Sequence, residues 1–578
     1  MTSTLFADIR RRSASATTVL LVSFLCAGGA SAASTPLIPQ VLLPEGIVEG
    51  ASLGSGQARV HAFTGVPYAA PPIGDFRWRA PQSVARWTGV RHATEFAPRC
   101  MQSAGFAKTS RSIRMSEDCL YLNVWAPAQD VRTAKLPVLV YFHDGDLEGG
   151  DGSDARLDGA SLAAKGIVVV TVNYRLDVFG FFAHPEAIAE SGYGATGNYG
   201  FLDQLAALKW VRDNIAKFGG DSAQVTIGGQ GAGAVSVSAH MASPLSRGLF
   251  ARAIGQSAGL FTPINLWPQK HAKKVSMEFA ARLGAPSLQA LRSKPADKLL
   301  DVIDVAEDVP FGFWPIIDGY FLTDSPEAVF TAGGQARVPL LIGSNSQEAH
   351  FTRLLEWRAP TAENWRQVID ELFPFDQPDT LMTRYPAHDE QSVMRAGTAL
   401  ASDMMFGLST RIWADLHRKT GAAPVYYYLF TQARPPLSGS ATPEQREEYD
   451  ARPQPVMGAE HGAEVEYMFD NLAKQPQYAW TAQDREASRV FSDYVVRFVK
   501  TGNPNAQDLA EIRSPGERPD FQRDGLPVWP AAREEPGGLL RQSIGGETRT
   551  IVDTDSVRYA LLHQIYKTTF PDTAGMKP

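Results

Sequence analysis

A glycine-rich turn between a predicted strand and a predicted helix constrains this chain more than any other feature. Residues 225–227 form a short apolar run typical of a buried strand, and the small residues at 232–240 predict a helix. The turn between them reads Gly229-Gln-Gly-Ala-Gly233. This is the frame G-x-S-x-G, in which a tight strand–turn–helix connection presents a nucleophilic serine above a sheet. The serine position is Gly231 in this chain, so the frame is present and its nucleophile is missing.

The apolar runs around this turn predict an α/β fold. Residues 136–142 and 167–172 are short, rich in β-branched side chains and bounded by turn residues, as in strands that are covered on both faces. Residues 198–218 have apolar side chains at helical spacing. This alternation indicates a large, mostly parallel central sheet with helices on both faces. Sites on such sheets lie at the carboxyl ends of the strands, where both His143 and Gly231 fall.

The N-terminus predicts a secretory signal peptide. Arginines at 10–12 precede an apolar run at 19–27, and Ala30-Ser-Ala32 provides an A-x-A cleavage site. The apolar run is far shorter than the roughly 20 residues that span a bilayer. We therefore expect residues 1–32 to be removed near Ala32 and the chain to be exported, either secreted or periplasmic. Residues 33–578 show neither internal repeats nor a convincing linker, which predicts a single domain.

Cysteine usage and net charge indicate the compartment and the kinds of partner that this protein has. Cys26 lies within the predicted signal peptide, and Cys100 and Cys119 remain as an even pair, which favours a disulfide in an exported chain. Two buried thiols are the alternative. The net charge of −7 argues against nucleic acid or an anionic membrane as the main partner. A stretch rich in Pro, Ser and Glu at 433–455 is interpreted as a mobile surface loop or lid.

Several motifs, in the same order along the chain, resemble those of the type-B carboxylesterases, the α/β-hydrolase family that includes the cholinesterases. The matching stretches lie at 65–72, 116–124, 172–175, 197–204, 218–221, 317–319 and 498–504. They cover nearly the whole chain after the signal peptide. The resemblance implies an α/β-hydrolase fold and a Ser-Glu-His type of carboxylic-ester hydrolase.

The resemblance also implies two members of a catalytic triad. Glu348, in Gly343-Ser-Asn-Ser-Gln-Glu348, matches the triad acid, and His461, in Gly458-Ala-Glu-His461, matches the general base. The order nucleophile, acid, histidine is the α/β-hydrolase order. In these roles His461 moves the proton of the nucleophile while Glu348 orients the ring and stabilises its charged form.

The oxyanion hole implied by the resemblance departs from the family pattern. The matching backbone N–H groups belong to Gly145, Asp146 and Ala232, within a loop that is normally a run of glycines. Asp144 and Asp146 replace two of those glycines, and a carboxylate at Asp146 repels an oxyanion unless its side chain turns away. Gln230 stands where the family usually has glutamate, which is a milder change.

Because position 231 is glycine, the chain is predicted to bind esters but to be essentially inactive as an ester hydrolase. Loss of the serine from a comparable triad lowers turnover by about 10⁶-fold. Ser257 lies at the centre of a second literal G-x-S-x-G pattern, at 255–259, but no good helix follows it. Two alternatives remain open: a non-catalytic binding or adhesion protein on the same fold, and an active esterase that uses Ser257 or an activated water.

The resemblance implies a small-molecule carboxylic ester as ligand and no cofactor. No metal-ligand spacing or nucleotide-binding glycine motif occurs in a credible context. Phe311, Phe313 and Trp314 are candidates for the wall of an acyl pocket, with core packing as an equal alternative. No membrane span is predicted, and a protein partner is left open.

Overall fold

A mixed β-sheet supports the site. In the computed structural model, the residues described are 38–569 except 104, 106–108, 129–132, 305–311, 374–377 and 507–524. The predicted signal peptide and Phe311 therefore lie outside the described residues. Residues 38–578 cluster as one compact unit.

The strands, in chain order, are β1 Gln40–Leu42, β2 Ile47–Glu49, β3 Ala51–Leu53, β4 Val60–Pro67, β5 Val90–His92, β6 Tyr121–Pro127, β7 Leu136–Phe142, β8 Val168–Val172, β9 Gly220–Gln230, β10 Arg252–Gln256, β11 Leu340–Asn345, β12 Val425–Phe430, β13 Glu534–Glu535, β14 Gly538–Ile544 and β15 Arg549–Asp553. The α-helices are α1 Ala160–Ala164, α2 Asp177–Phe181, α3 Pro185–Ser191, α4 Tyr199–Asn214, α5 Ala232–Ala242, α6 Gln269–Arg282, α7 Leu288–Arg292, α8 Ala296–Asp304, α9 Pro326–Thr331, α10 Thr352–Leu355, α11 Ala362–Leu372, α12 Pro378–Arg384, α13 Glu390–Ser402, α14 Leu408–Thr420, α15 Pro443–Asp450, α16 Val465–Met468, α17 Ala482–Thr501 and α18 Ser556–Thr569.

Within the described residues, the main sheet has twelve strands. Eleven of them run in the order β13-β14-β12-β11-β10-β9-β7-β8-β6-β4-β3, and β15 pairs with β14. Neighbours from β8 through β7, β9, β10, β11 and β12 to β14 are parallel, and the pairs toward both edges are antiparallel. The prediction of a large, mostly parallel sheet flanked by helices is confirmed.

The central strands are buried on both faces, as their continuous apolar sequence predicts. Alternate residues of β7 enter two different cores: Val138, Val140 and Phe142 pack in one, and Leu139 and Tyr141 pack in the other. Strand β7 has the predicted bounds, and β8 begins one residue later than predicted.

Three further observations bear on the sequence predictions. Cys100 and Cys119 form a disulfide, so that prediction is confirmed. Within the segment at 433–455, interpreted as a mobile surface loop or lid, the structure has the helix α15, capped by the Thr442 side chain, which accepts from Gln445 N–H. Across the part of the chain that the structure describes, no helix combines the length and apolar character needed to cross a membrane.

Candidate active site

The turn between β9 and α5 has the backbone of a nucleophile elbow. Gly231 has φ 55° and ψ −120°, which is a strained conformation for residues with a side chain. Gly229 and Gly233 are required by close packing: a Cβ at Gly229 would lie 2.3 Å from the Gly233 carbonyl, and one at Gly233 would lie 2.1 Å from the Phe142 oxygen. The sequence therefore forms the tight turn, and only its central side chain is missing.

Glu348 and His461 lie together beside this turn. Glu348 follows the end of β11 and is buried, and its Oε2 lies 2.6 Å from His461 Nδ1. The other carboxylate oxygen accepts from Asn345 N–H at 2.5 Å. The backbone N–H of Gln347 donates to the Ala459 carbonyl at 2.8 Å, which ties the loop of the acid to the loop of the histidine. This arrangement fixes the orientation of the imidazole.

The second ring nitrogen of His461 faces the elbow. Its Nε2 lies 2.9 Å from Gln230 Nε2, and the Phe406 ring stacks on the imidazole at 4.0 Å between centroids. The side-chain amide of Gln230 is thus a hydrogen-bond partner of this ring nitrogen. The chain thus keeps an oriented acid–base pair directed at the position where the nucleophile would be.

A second buried carboxylate lies behind this pair. Glu464 accepts from Asn345 Nδ2 and, at 3.2 Å, from Gln256 Nε2. Burial and the negative charge of Glu348 raise the pKa of Glu464 to about 7. Glu464 therefore holds its proton below neutral pH, and only one carboxylate behind His461 is charged there.

The Asp144 side chain occupies the oxyanion hole. Its Oδ1 accepts from the Ala232 N–H at 2.8 Å, and the carboxylate also accepts from the Gly145 N–H. Its Oδ2 lies 3.7 Å from His461 Nε2. Two of the three predicted oxyanion donors, Gly145 and Ala232, thus donate to one carboxylate of the protein itself.

Asp144 also fills the space that a side chain at position 231 would need. A Cβ built on Gly231 would lie 2.2 Å from Asp144 Oδ1 and 2.5 Å from its Cγ. Real Cβ contacts are not this short, so the carboxylate and a serine cannot both occupy these positions. The two departures, Asp144 and Gly231, are sterically complementary.

The charges of Asp144 and His461 reinforce each other. Burial opposes ionisation of Asp144, but contact with His461 and the two N–H donors outweigh it and lower its pKa to about 2. Burial likewise opposes the charged form of His461, but Asp144 and Glu348 outweigh it and raise the pKa of His461 well above its usual range. The result is an anionic Asp144 beside a His461 that favours its cationic form.

Asp146 lies in the same loop with a positive φ of 57°, and its side chain is exposed. The sequence predicts that a carboxylate at Asp146 repels an oxyanion unless its side chain turns away. The carboxylate that enters the hole is instead that of Asp144.

Ser257, Phe313 and Trp314 are buried in the core. Ser257 has no exposed surface, and its backbone N–H donates to the Gly343 carbonyl at 2.8 Å. Phe313 is buried against Phe182 and Phe279, and Trp314 Nε1 donates to the Asn265 carbonyl. Neither aromatic lines the cavity beside Asp144.

That cavity has a volume of about 450 Å³, and its lining mixes polar and apolar side chains. Arg156, which pairs with Asp154 at 2.7 Å, and Arg452, which pairs with Glu460 at 2.7 Å, contribute cations to it. Tyr449, on α15, lies under Arg452 at 3.9 Å. The segment interpreted as a lid therefore forms one wall of the space next to the elbow.

The sheet order, the elbow and the Glu–His pair together define an α/β-hydrolase, and comparison with known proteins identifies the family. The carboxylesterase family model matches residues 38–559, and the chain belongs to this family. It is 37% identical to fumonisin B1 esterase of Sphingopyxis macrogoltabida over 74% of each chain. It is 34% identical to cocaine esterase of Oryctolagus cuniculus, covering 80% of this chain and 86% of that one. It is 32% identical to carboxylesterase 5A of Felis catus, covering 82% of this chain and 84% of that one.

Three parts of the site were not predicted as a unit from the sequence. In the sequence, Asp144 is only a departure from a glycine run and Gln230 is only a mild change from glutamate. Glu464 carries no recognised signal. The available signal was the co-occurrence of Asp144 and Gly231, since one adds a side chain where the other removes one. Their proximity depends on the fold.

Proposed function

We propose that this protein is a carboxylic-ester-binding member of the carboxylesterase family that hydrolyses esters only at a trace rate. The observation that carries this proposal is Gly231 at the apex of the elbow, beside an oriented Glu348–His461 pair. A serine at that position would lose its proton to His461 and attack the ester carbonyl. Without a hydroxyl there is no group at the apex to form the acyl intermediate.

The oxyanion hole supports the same proposal. An ester carbonyl needs the Ala232 and Gly145 N–H groups when its oxygen becomes negative, and Asp144 already accepts from both. The fixed negative charge would also repel the developing oxyanion. Two separate defects therefore oppose ester hydrolysis.

Restoring the serine alone is not a sufficient test, because Gly231→Ser would bring a Cβ within 2.2 Å of Asp144 Oδ1. We expect Gly231→Ser to gain little and Gly231→Ser/Asp144→Gly to gain at least about 10³-fold in kcat/KM, since loss of the serine alone costs about 10⁶-fold. Suitable substrates are p-nitrophenyl acetate and, because one relative is named for it, fumonisin B1. A fluorophosphonate probe would label the introduced serine.

The matched control is Gly231→Ala/Asp144→Gly, which has the same backbone change and no hydroxyl. A folded double serine variant with no gain would contradict the assignment of the elbow. Fluorophosphonate labelling of the unaltered chain at Ser257 would contradict the proposed inactivity.

We also propose that the chain is exported after cleavage near Ala32. The Cys100–Cys119 disulfide supports this, because disulfides persist mainly in oxidising compartments. Expression of the full chain, followed by fractionation and mass spectrometry of the mature N-terminus, tests it. Recovery of an uncleaved cytosolic chain with free thiols would contradict it.

A further inference from the structure

Four neutral hydrogen-bonding side chains line the cavity beside Asp144. Two belong to α15 and two to a loop further along the chain: Gln445, Tyr449, Gln477 and Tyr478. All four residues are half-buried, so that each keeps some accessible surface. These four residues are named the polar wall. They contribute two amides and two phenolic hydroxyls, which are groups that recognise a neutral polar ligand.

We propose that the polar wall binds the saccharide part of a sugar ester whose acyl group lies at the elbow. This inference rests on the proposed function, because it names the alcohol part of the ester that the cavity takes. One continuous cavity serves both parts, since its lining also includes Asp144, Gly145 and Gln230. Its volume of about 450 Å³ is within the range of small-molecule sites.

The polar wall consists of two segments that are tied together. Leu437, in the segment that leads into α15, forms an isolated antiparallel bridge with Tyr478. The Ser438 N–H donates to the Gln477 carbonyl at 2.7 Å. These contacts fix the loop against the segment before α15. The wall is therefore formed before a ligand arrives, which lowers the entropic cost of binding.

The two amides of the polar wall offer complementary hydrogen bonds. Gln445 Oε1 accepts from the Thr442 N–H at 2.9 Å, which leaves its NH2 group for a ligand. Gln477 Nε2 donates to Gln475 Oε1 at 2.8 Å, which leaves the carbonyl oxygen of Gln477 for a ligand. One amide thus donates, the other accepts, and the two tyrosine hydroxyls do both. Adjacent hydroxyls of a sugar, each a donor and an acceptor, match this mixture.

The aromatic rings and leucines of the lining match the apolar surface of a sugar. A pyranose ring presents C–H groups on its two faces, and such groups pack on aromatic rings, whose faces carry partial negative charge. The cavity has Tyr449 and Tyr478 for this contact, together with Leu157 and Leu437. Polar edges and apolar faces in one ligand therefore meet both kinds of lining side chain.

The charges of the lining disfavour an anionic ligand. Among the described residues that line the cavity, four carry carboxylates and two, Arg156 and Arg452, carry guanidinium groups. Arg156 is paired with Asp154 and Arg452 with Glu460, each at 2.7 Å. An anion would have to compete with these pairs and would face an excess of negative charge. A neutral ligand meets neither cost.

The carboxylates are also engaged, which disfavours a cationic ligand. Asp144 and Asp151 each accept from a backbone N–H, at 2.8 and 2.6 Å, and Asp151 is only 2% exposed. Asp154 is paired with an arginine, and Glu448 is exposed to water, which weakens its attraction for a cation. The neutral groups of the polar wall are the ones left to determine the ligand.

The experiment measures binding to the unaltered chain by isothermal titration calorimetry and saturation-transfer NMR. The probes are methyl β-glucoside, its 6-O-acetyl ester and cellobiose, and tetramethylammonium and propionate are the charged comparisons. We expect saturable binding of the acetyl ester with a Kd of about 1 mM or lower, as for a small ligand in a formed pocket. The acetyl ester should bind more tightly than methyl β-glucoside, because its acyl group adds contacts at the elbow.

Two substitutions remove hydrogen-bonding groups from the polar wall. Tyr449→Phe and Gln477→Leu should each weaken binding of the acetyl ester by about threefold, and together by about tenfold, because each loses one hydrogen bond to the sugar. Glu447→Gln is the matched control on α15, since Glu447 is exposed and does not line the cavity. It should bind the ester as the unaltered chain does. Circular dichroism checks that each variant is folded.

The proposal is overturned if none of the three sugars binds, if only a charged probe binds, or if the folded double variant binds as tightly as the unaltered chain. Tighter binding of methyl β-glucoside than of its acetyl ester would also overturn it. The ester-rescue test reports separately. A gain in p-nitrophenyl acetate hydrolysis without sugar binding rejects only the saccharide, and sugar binding without that gain rejects only the assignment of the elbow.

Discussion

The two halves of this active site differ in how much of a serine esterase they retain. The acid–base half, Glu348 and His461, has the short contact and buried acid that general-base catalysis needs. The nucleophile half has no side chain at Gly231, and the Asp144 carboxylate accepts from the Ala232 N–H beside it. The departures from a serine esterase are therefore confined to the nucleophile half. Asp144 and Gly231 are in contact, and each fits the other sterically.

The largest predicted effect tests whether His461 contributes to ester hydrolysis only when a nucleophile is present at position 231. In the Gly231→Ser/Asp144→Gly background, His461→Gln should lower kcat/KM for p-nitrophenyl acetate by about 10⁴-fold or more, because the introduced serine then has no base. In the unaltered chain the same substitution should change the trace rate by less than about 10-fold, since little catalysis depends on the histidine without a nucleophile. Equal losses in both backgrounds would show that the unaltered chain already uses His461 for ester hydrolysis.

A stability measurement tests the fit between Asp144 and Gly231. Gly231→Ala should lower the free energy of unfolding by about 1–3 kcal/mol, because its Cβ meets the Asp144 carboxylate and the backbone is in a strained region. Adding Asp144→Gly should remove the steric part and reveal a coupling of about 1 kcal/mol or more in a double-mutant cycle by urea denaturation. Strict additivity would contradict the contact.

The charge coupling gives a pH-dependent prediction. Asp144→Asn should lower the pKa of His461, because it removes one of the two carboxylates that favour the charged ring; NMR of the ring protons measures this. The raised pKa of His461 stabilises the fold below its unfolded value of about 6.5, and the lowered pKa of Asp144 stabilises it above about 3.9. The loss of stability in Asp144→Asn should therefore be greatest between these pH values, and decrease as His461 deprotonates at higher pH or Asp144 protonates at lower pH. Asp146→Asn serves as control: its carboxylate is exposed, and it should shift the His461 titration less.

The smallest predicted effect concerns Glu464, the second buried carboxylate behind Glu348 and His461. Glu464, with a pKa of about 7, gains a negative charge above neutral pH that favours protonated His461. In the Gly231→Ser/Asp144→Gly background, Glu464→Gln should therefore lower the pKa of His461 and raise kcat/KM by about twofold to fivefold at pH values where His461 is still partly protonated, since one pKa unit corresponds to tenfold. A pH–rate profile measures this, and a fall of kcat/KM in that range would contradict the sign.

The acid–base half was largely predictable from sequence because its residues lie in contiguous motifs. Glu348 follows a strand within Gly343-Ser-Asn-Ser-Gln-Glu348, and His461 lies in a glycine-flanked loop, so both carry local signals. The strand bounds of β7 and β12 were predictable for the same reason, since continuous apolar runs are typical of strands buried on both faces. The helix α15 was missed because its polar residues have no apolar face to reveal their period.

The sequence by itself determined the α/β architecture, the elbow and the absence of a hydroxyl at position 231, because each is written in neighbouring residues. Only the tertiary structure decided what replaces that hydroxyl. Asp144 and Gly231 are far apart in the chain, and their contact exists because β7 and β9 are adjacent parallel strands whose carboxyl ends meet. Which carboxylate enters a hole, and which faces solvent, depends on side-chain directions that no local pattern specifies.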